Sequence, residues 1–229
     1  MAAVGSRTVV VTGNASGIGA AIAMRLASDG WSVVGIDRAD PPEGQRVARH
    51  IVADLADPAQ VAEAATSVRG AHALVHAAGL MRVGALERLN PADGELMWAV
   101  HVRALTVFAQ ILCPAMPSGG RLVAIGSRTS AGAAGKSQYA ASKAAMTALV
   151  RSWAAELAPR AITANVVAPA ATVTPMLGQG DRASVAPILP PIGRYIEPAE
   201  VAAYVAFLLS PEAGAITGQE LLICGGASL

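Results

Sequence analysis

Seven short runs of apolar and β-branched residues recur along the chain: 8–12 (TVVVT), 32–36 (SVVGI), 49–53 (RHIVA), 73–77 (ALVHA), 121–126 (RLVAIG), 161–167 (AITANVV) and 220–223 (ELLI). They are apolar throughout instead of alternating with polar residues, so each predicted strand needs cover on both faces, as in a parallel sheet with helices on either side. Alanine-rich stretches of helical length separate them, and the pattern predicts helices near 17–29, 58–68, 91–116, 138–157 and 198–209. Proline directly follows Asp57, Asn90 and Glu197, where it fits the first helical position. Strand and helix alternate from end to end, which predicts a doubly wound α/β fold in a single domain over 1–229. The Pro/Gly-rich stretch at about 176–195 is read as a long loop or lid, because too little chain follows it to fold alone.

Composition narrows this picture. Hydrophobic residues make up 53%, charged residues 14% and aromatics 3%, which predicts a close-packed Ala/Val/Leu/Ile interior with apolar surface left over for subunit contacts. A net charge of +1 with no basic run argues against nucleic acid or anionic membrane as the main partner. Cys113 and Cys224 sit in apolar settings and are read as buried thiols, not as a bridge or metal pair. No charged and then apolar leader precedes the first strand, and the longest uncharged stretch, 161–180, is cut by two prolines and two glycines. The expectation is a soluble cytoplasmic protein without a metal.

Chemistry enters after the first strand, with TGNASGIG. Gly13, Gly17 and Gly19 open a helix, Ser16 and Ile18 lying between them, where a sharp turn lets the backbone approach a pyrophosphate and the helix N-terminus stabilises its charge. The spacing is Gly-x3-Gly-x-Gly. Asp37 ends the second predicted strand, where a carboxylate accepts hydrogen bonds from ribose hydroxyls and repels a 2′-phosphate; NAD is therefore favoured over NADP, although Arg38 next to it can accommodate such a phosphate. Tyr139 and Lys143 stand four apart on one helix face. A free phenol titrates near ~10, and a neighbouring ammonium favours the phenolate, which makes the pair a tuned acid/base. Ser127 ends a strand at the carboxyl edge of the sheet, where open α/β sheets place their ligands.

On these residues the chain resembles the short-chain dehydrogenase/reductase family, in the single-domain branch of 3-oxoacyl carrier-protein reductases and sugar or steroid dehydrogenases. TGNASGIG, Asp37, DL at 54–55, HAAG at 76–79, IGS at 125–127, YAASK at 139–143, NVVAPAATVTPM at 165–176 and the closing ITGQELLICGGASL carry the resemblance over essentially the whole chain. It implies a Rossmann fold in which Tyr139 moves the proton, Lys143 binds the nicotinamide ribose and lowers the phenol pKa, and Ser127 orients the substrate oxygen. It further implies that Asp54 and Leu55 lie against adenine and that the Thr172 backbone and Thr174 hydroxyl hold the carboxamide. The segment of His76, Ala77, Ala78 and Gly79 would contact the cofactor through its backbone.

The chain departs from the family pattern in three places. His76 replaces an asparagine and is read as a structural imidazole. His101 stands where the family has the asparagine of a water-linked proton relay, and is read either as a relay substitute or as a packed residue. Pro169 and Ala170 replace Pro-Gly, and the span from Ser127 to Tyr139 is one residue short, leaving Ser130 as the alternative serine. In the lid, Val185, Ile188, Leu189 and Ile192 suit an apolar substrate, while Arg182 and Arg194 suit a polar or anionic one. Arg82 and Arg128 follow segments near the expected pocket and are read as solvated loop residues. The resemblance implies a homodimer or homotetramer through the helices at 91–116 and 138–157. The expected activity is hydride transfer between NAD(H) and a secondary alcohol or ketone. Two rivals are a cofactor-binding regulatory or scaffold protein with little turnover, and a nucleotide-sugar epimerase or dehydratase.

Overall fold

The computed structural model describes residues 7–178 and 186–229. Seven strands, β1 (Thr8–Thr12), β2 (Ser32–Asp37), β3 (Arg49–Val52), β4 (Ala73–His76), β5 (Arg121–Ile125), β6 (Thr163–Pro169) and β7 (Glu220–Ile223), form one sheet in the order β3-β2-β1-β4-β5-β6-β7. Every pairing is parallel. The wholly apolar strand pattern follows from this arrangement, because successive side chains serve opposite layers. Val10, Leu74, Leu122 and Val166 pack into the layer of α2 (Pro58–Ser67), α4 (Ala104–Ala115) and α5 (Ser137–Leu157). Val9, Val11, Val75 and Val123 pack against α1 (Gly17–Ser28) and α6 (Pro198–Leu208).

The proline-marked helix starts are capped. Asp57 accepts hydrogen bonds from the N–H groups of Ala59 and Gln60, and Asn90 accepts one from Ala92. Glu197 and Glu200 form a reciprocal capping box on α6. Short turns around Gly30, Gly70 and Gly119 return the chain to the amino edge of the sheet, and the longer connections gather at the carboxyl edge. Between β3 and β4 the chain crosses β2 and β1, so a crevice opens where β1 and β4 lead their loops to opposite sides.

Two predicted elements differ in detail. The expected single helix at 91–116 is α3 (Pro91–Trp98), a five-residue π-helical segment (Ala99–Arg103) and then α4. By length and composition the whole run from Pro91 to Ala115 could cross a membrane, but most of it is buried inside the fold, which is why it is apolar on more than one side. The strand expected at 161–167 begins two residues later, because Ala161 takes a left-handed conformation (φ 54°) after the turn Ala158–Arg160. Arg160 donates to the carbonyls of Cys113 and Met116 and so satisfies the C-terminal end of α4.

Candidate active site

A cleft of about 980 Å³ runs along the carboxyl edge of the sheet. Gly13, Ser16, Gly17, Ile18, Gly19, Asp37, Arg38, Asp54, Leu55, Ala77, Ala78, Gly79, Pro169, Ala170, Thr172 and Thr174 all line it, together with Ser127, Tyr139 and Lys143. His76 and His101, also expected at the site, do not line it; both are fully buried behind its wall.

One end of the cleft is a backbone cradle. A Cβ on Gly13 would lie 2.7 Å from the Ala78 backbone, and one on Gly19 would lie 2.0 Å from the Gly13 carbonyl oxygen, so neither position admits a side chain. The turn is braced from beneath. Asp37 Oδ2 accepts the Ala15 N–H at 3.1 Å and its Oδ1 accepts the Ala39 N–H, while the Gln45 side chain donates to the Asn14 carbonyl and accepts from the Asn14 amide. A backbone bare of side chains, the N-terminus of α1 and a carboxylate at the end of β2 fit a dinucleotide.

The other end carries the acid/base candidates. Tyr139, 6% exposed, and Lys143, 4% exposed, lie one turn apart on α5, with the Lys143 Nζ 5.8 Å from the centre of the phenol ring. That ammonium donates to the Ile125 carbonyl at 2.8 Å, and burial pushes its pKa down to about 7. Ser127 follows β5, and its Oγ lies 2.8 Å from Thr129 Oγ1 while accepting the Thr129 N–H. The alternative serine, Ser130, donates to Glu220 at 2.7 Å and does not line the cleft. Of these two serines, Ser127 is the one that lines the cleft.

The two histidines hold the π-helical segment in place. His76 Nε2 donates to the Val100 carbonyl at 3.1 Å, and its Nδ1 lies 3.0 Å from the Thr12 hydroxyl, which itself accepts the Ala78 N–H. His101 Nε2 accepts the Leu80 N–H at 3.0 Å, leaving Nδ1–H to donate to Ser142 Oγ at 2.9 Å; that hydroxyl donates to the Tyr139 carbonyl. The His101 ring meets Tyr139 edge-on, at 5.7 Å between centroids. Burial, then the Lys143 charge, pushes the His76 pKa down to about 3 and that of His101 well below its ordinary value. Both rings are therefore neutral at physiological pH with both nitrogens engaged. Thr12, Ser142 and the Val100 carbonyl, central to this network, were missed in the sequence, where a lone Thr, Ser or backbone group carries no signal.

Of the lid residues, Ile188 and Leu189 line the cleft, whereas Ile192 packs over Gly225. Arg194, read from sequence as a possible substrate contact, instead forms a two-pronged ion pair with Glu200 (2.7 and 2.9 Å). Arg182 and Val185 lie outside the described residues. Arg82 and Arg128, read as solvated loop residues, line the cleft and are half-buried, which corrects that expectation. Among the described residues no group of three metal-ligating side chains converges.

Comparison with known proteins agrees with this geometry. A family profile described as enoyl-(acyl carrier protein) reductase matches residues 13–228. A (2S)-[(R)-hydroxy(phenyl)methyl]succinyl-CoA dehydrogenase subunit from Thauera aromatica is 34% identical, over 98% of this chain and 97% of that protein. The 2,3-dihydro-2,3-dihydroxybenzoate dehydrogenase of Escherichia coli K12 is 34% identical, over 97% of each chain. The crystal structure of a blue fluorescent protein from a metagenomic library, in complex with NADPH, superposes with a TM-score of 0.86 at 36% identity, covering 97% of this chain and 98% of that one. With a seven-stranded parallel sheet, a glycine cradle and a Ser127, Tyr139 and Lys143 wall in one cleft, the chain belongs to the short-chain dehydrogenase/reductase family of oxidoreductases.

Proposed function

We propose that this chain transfers hydride between NAD(H) and a secondary alcohol or its ketone, with Tyr139 as the acid/base. The observation that carries this reading is that Ser127, Tyr139 and Lys143 line the same cleft as the glycine cradle. The nicotinamide, when bound, supplies or accepts the hydride. The Ser127 hydroxyl and the Tyr139 phenol together hold the substrate oxygen; the phenol gives its proton to that oxygen in reduction, and the phenolate takes it back in oxidation. Lys143 Nζ lies 5.8 Å from the centre of the phenol ring, where its ammonium favours the phenolate, and it would bind the nicotinamide ribose. Thr172 and Thr174 would hold the carboxamide, and Asp54 and Leu55 would flank the adenine; all four line the cleft. His101 acts as a positioning residue instead of a relay, because both its nitrogens are already engaged.

The test is reduced-nicotinamide absorbance with a panel of secondary alcohols and ketones. Turnover on at least one pair supports the reading; cofactor binding without turnover on any of them favours the regulatory alternative.

The preference for NAD rests on Asp37, whose carboxylate lines the cleft at the end of β2 and would repel a 2′-phosphate. Arg38 lines the same cleft, and the similar blue fluorescent protein was crystallised with NADPH; both favour a 2′-phosphate, and Asp37 is the group that opposes it. Replacing Asp37 with alanine is expected to shift the NADH/NADPH ratio of kcat/KM toward NADPH by ~10- to 100-fold. An unchanged ratio would remove Asp37 as the selector.

A further inference from the structure

The charged side chains lining the cleft are unevenly divided. Its two acidic side chains, Asp37 at the end of β2 and Asp54 just beyond β3, stand with Arg38 beside them, at the glycine-cradle side. Beyond Lys143, the charged side chains lining the rest of the cleft among the described residues are Arg82, Arg128 and Lys136, all cationic. Cationic side chains around a low-dielectric crevice raise the local concentration of anions. Arg82 Nε lies 3.6 Å from Asp93, which offsets part of its charge.

Arg128 is placed differently. It directly follows Ser127, and its Nη1 donates to the Ala227 carbonyl at 3.0 Å, which fixes the guanidinium between the β5 loop and the turn beyond β7. A guanidinium carries five N–H donors in a rigid fork matched to carboxylate geometry, and one bond to a carbonyl leaves that fork available. Met176, Leu177, Ile188 and Leu189 line the same cleft with apolar surface.

We propose that Arg128 is a specificity residue that binds a carboxylate on the substrate, so that the enzyme acts on an apolar hydroxy or keto acid. The four apolar lid residues cover its hydrocarbon part, and the arginine fork holds its acid group within reach of Ser127 and Tyr139. This rests on the alcohol/ketone reading of the site, so its test does not depend on turnover.

Hexanoate and the neutral hexanamide are titrated calorimetrically into the NADH-saturated protein, alongside Arg128→Met and Arg128→Lys. Hexanoate is expected to bind ~10-fold or more tightly than hexanamide; Arg128→Met is expected to erase that difference by weakening hexanoate alone, and Arg128→Lys to restore part of it. Equal binding of the two probes, no detectable binding of hexanoate, or survival of the preference in Arg128→Met overturns the proposal. Loss of both probes in Arg128→Met also overturns it, because the arginine would then serve only to anchor the Ala227 turn. Arg128-dependent hexanoate binding in a protein that turns over no alcohol or ketone would sink the proposed reaction and leave this site standing.

Discussion

Replacing Tyr139 with phenylalanine lowers kcat/KM by ~10³-fold while NADH binding and thermal stability stay close to those of the unmodified protein, since a positioned acid/base contributes about 10²- to 10⁴-fold. Phenylalanine keeps the ring that packs with Met81 and Met97 and meets His101 edge-on, so the wall of the cleft keeps its shape. The hydroxyl alone is lost. Lys143 keeps its bond to the Ile125 carbonyl, and the glycine cradle is untouched. Steady-state kinetics on the substrate found in the panel, paired with a fluorescence titration of NADH, separates the two effects. A variant within tenfold of the starting activity would mean that another group moves the proton.

The second large effect is a loss of stability in acid, caused by His76 and His101. Their folded pKa values lie below the unfolded value near 6.5, so between these limits the unfolded chain takes up protons that the folded chain cannot. Stability is therefore fully present above about pH 6.5 and falls as pH drops toward the folded value, which is about 3 for His76. The full shift at His76 corresponds to about 5 kcal/mol, of which about 2 kcal/mol is lost by pH 5. Burial is the main cause, with the nearby Lys143 charge second. Urea unfolding at pH 7, 6 and 5 reads the slope, and His76→Asn, which cannot titrate, should reduce it to the part that His101 supplies. Equal slopes in the two proteins would show that the imidazole is not what couples folding to protons.

Much of the architecture was legible because it rests on local rules. Seven uniformly apolar runs required a two-sided sheet, and Asp57-Pro58, Asn90-Pro91 and Glu197-Pro198 marked helix starts to the residue. The glycine cradle was legible for the same reason: the Gly13 and Gly19 sites exclude a Cβ, so the constraint appears in the sequence as glycine. What stayed hidden depends on partners far away in the chain. The π-helical segment at Ala99–Arg103 lies within an apolar helical run and is pinned by His76, more than twenty residues earlier. Its other bonds reach Leu80 and Ser142, which no periodicity connects. Arg194 is an exception: it was read as suiting a polar or anionic substrate although its partner, Glu200, lies only six residues on. Arg128 looked solvated because the turn beyond β7, which holds it, is distant in sequence.

The turns around Gly30, Gly70 and Gly119 all lie at the amino edge of the sheet, while the cleft occupies the opposite edge. A Cβ at any of these three glycines would meet nothing within 4 Å, so the neighbouring surface is open. The molecule thus has a working edge and a handling edge: a fluorophore, an affinity tag or a surface tether belongs at these turns, where the full width of the sheet separates it from the chemistry.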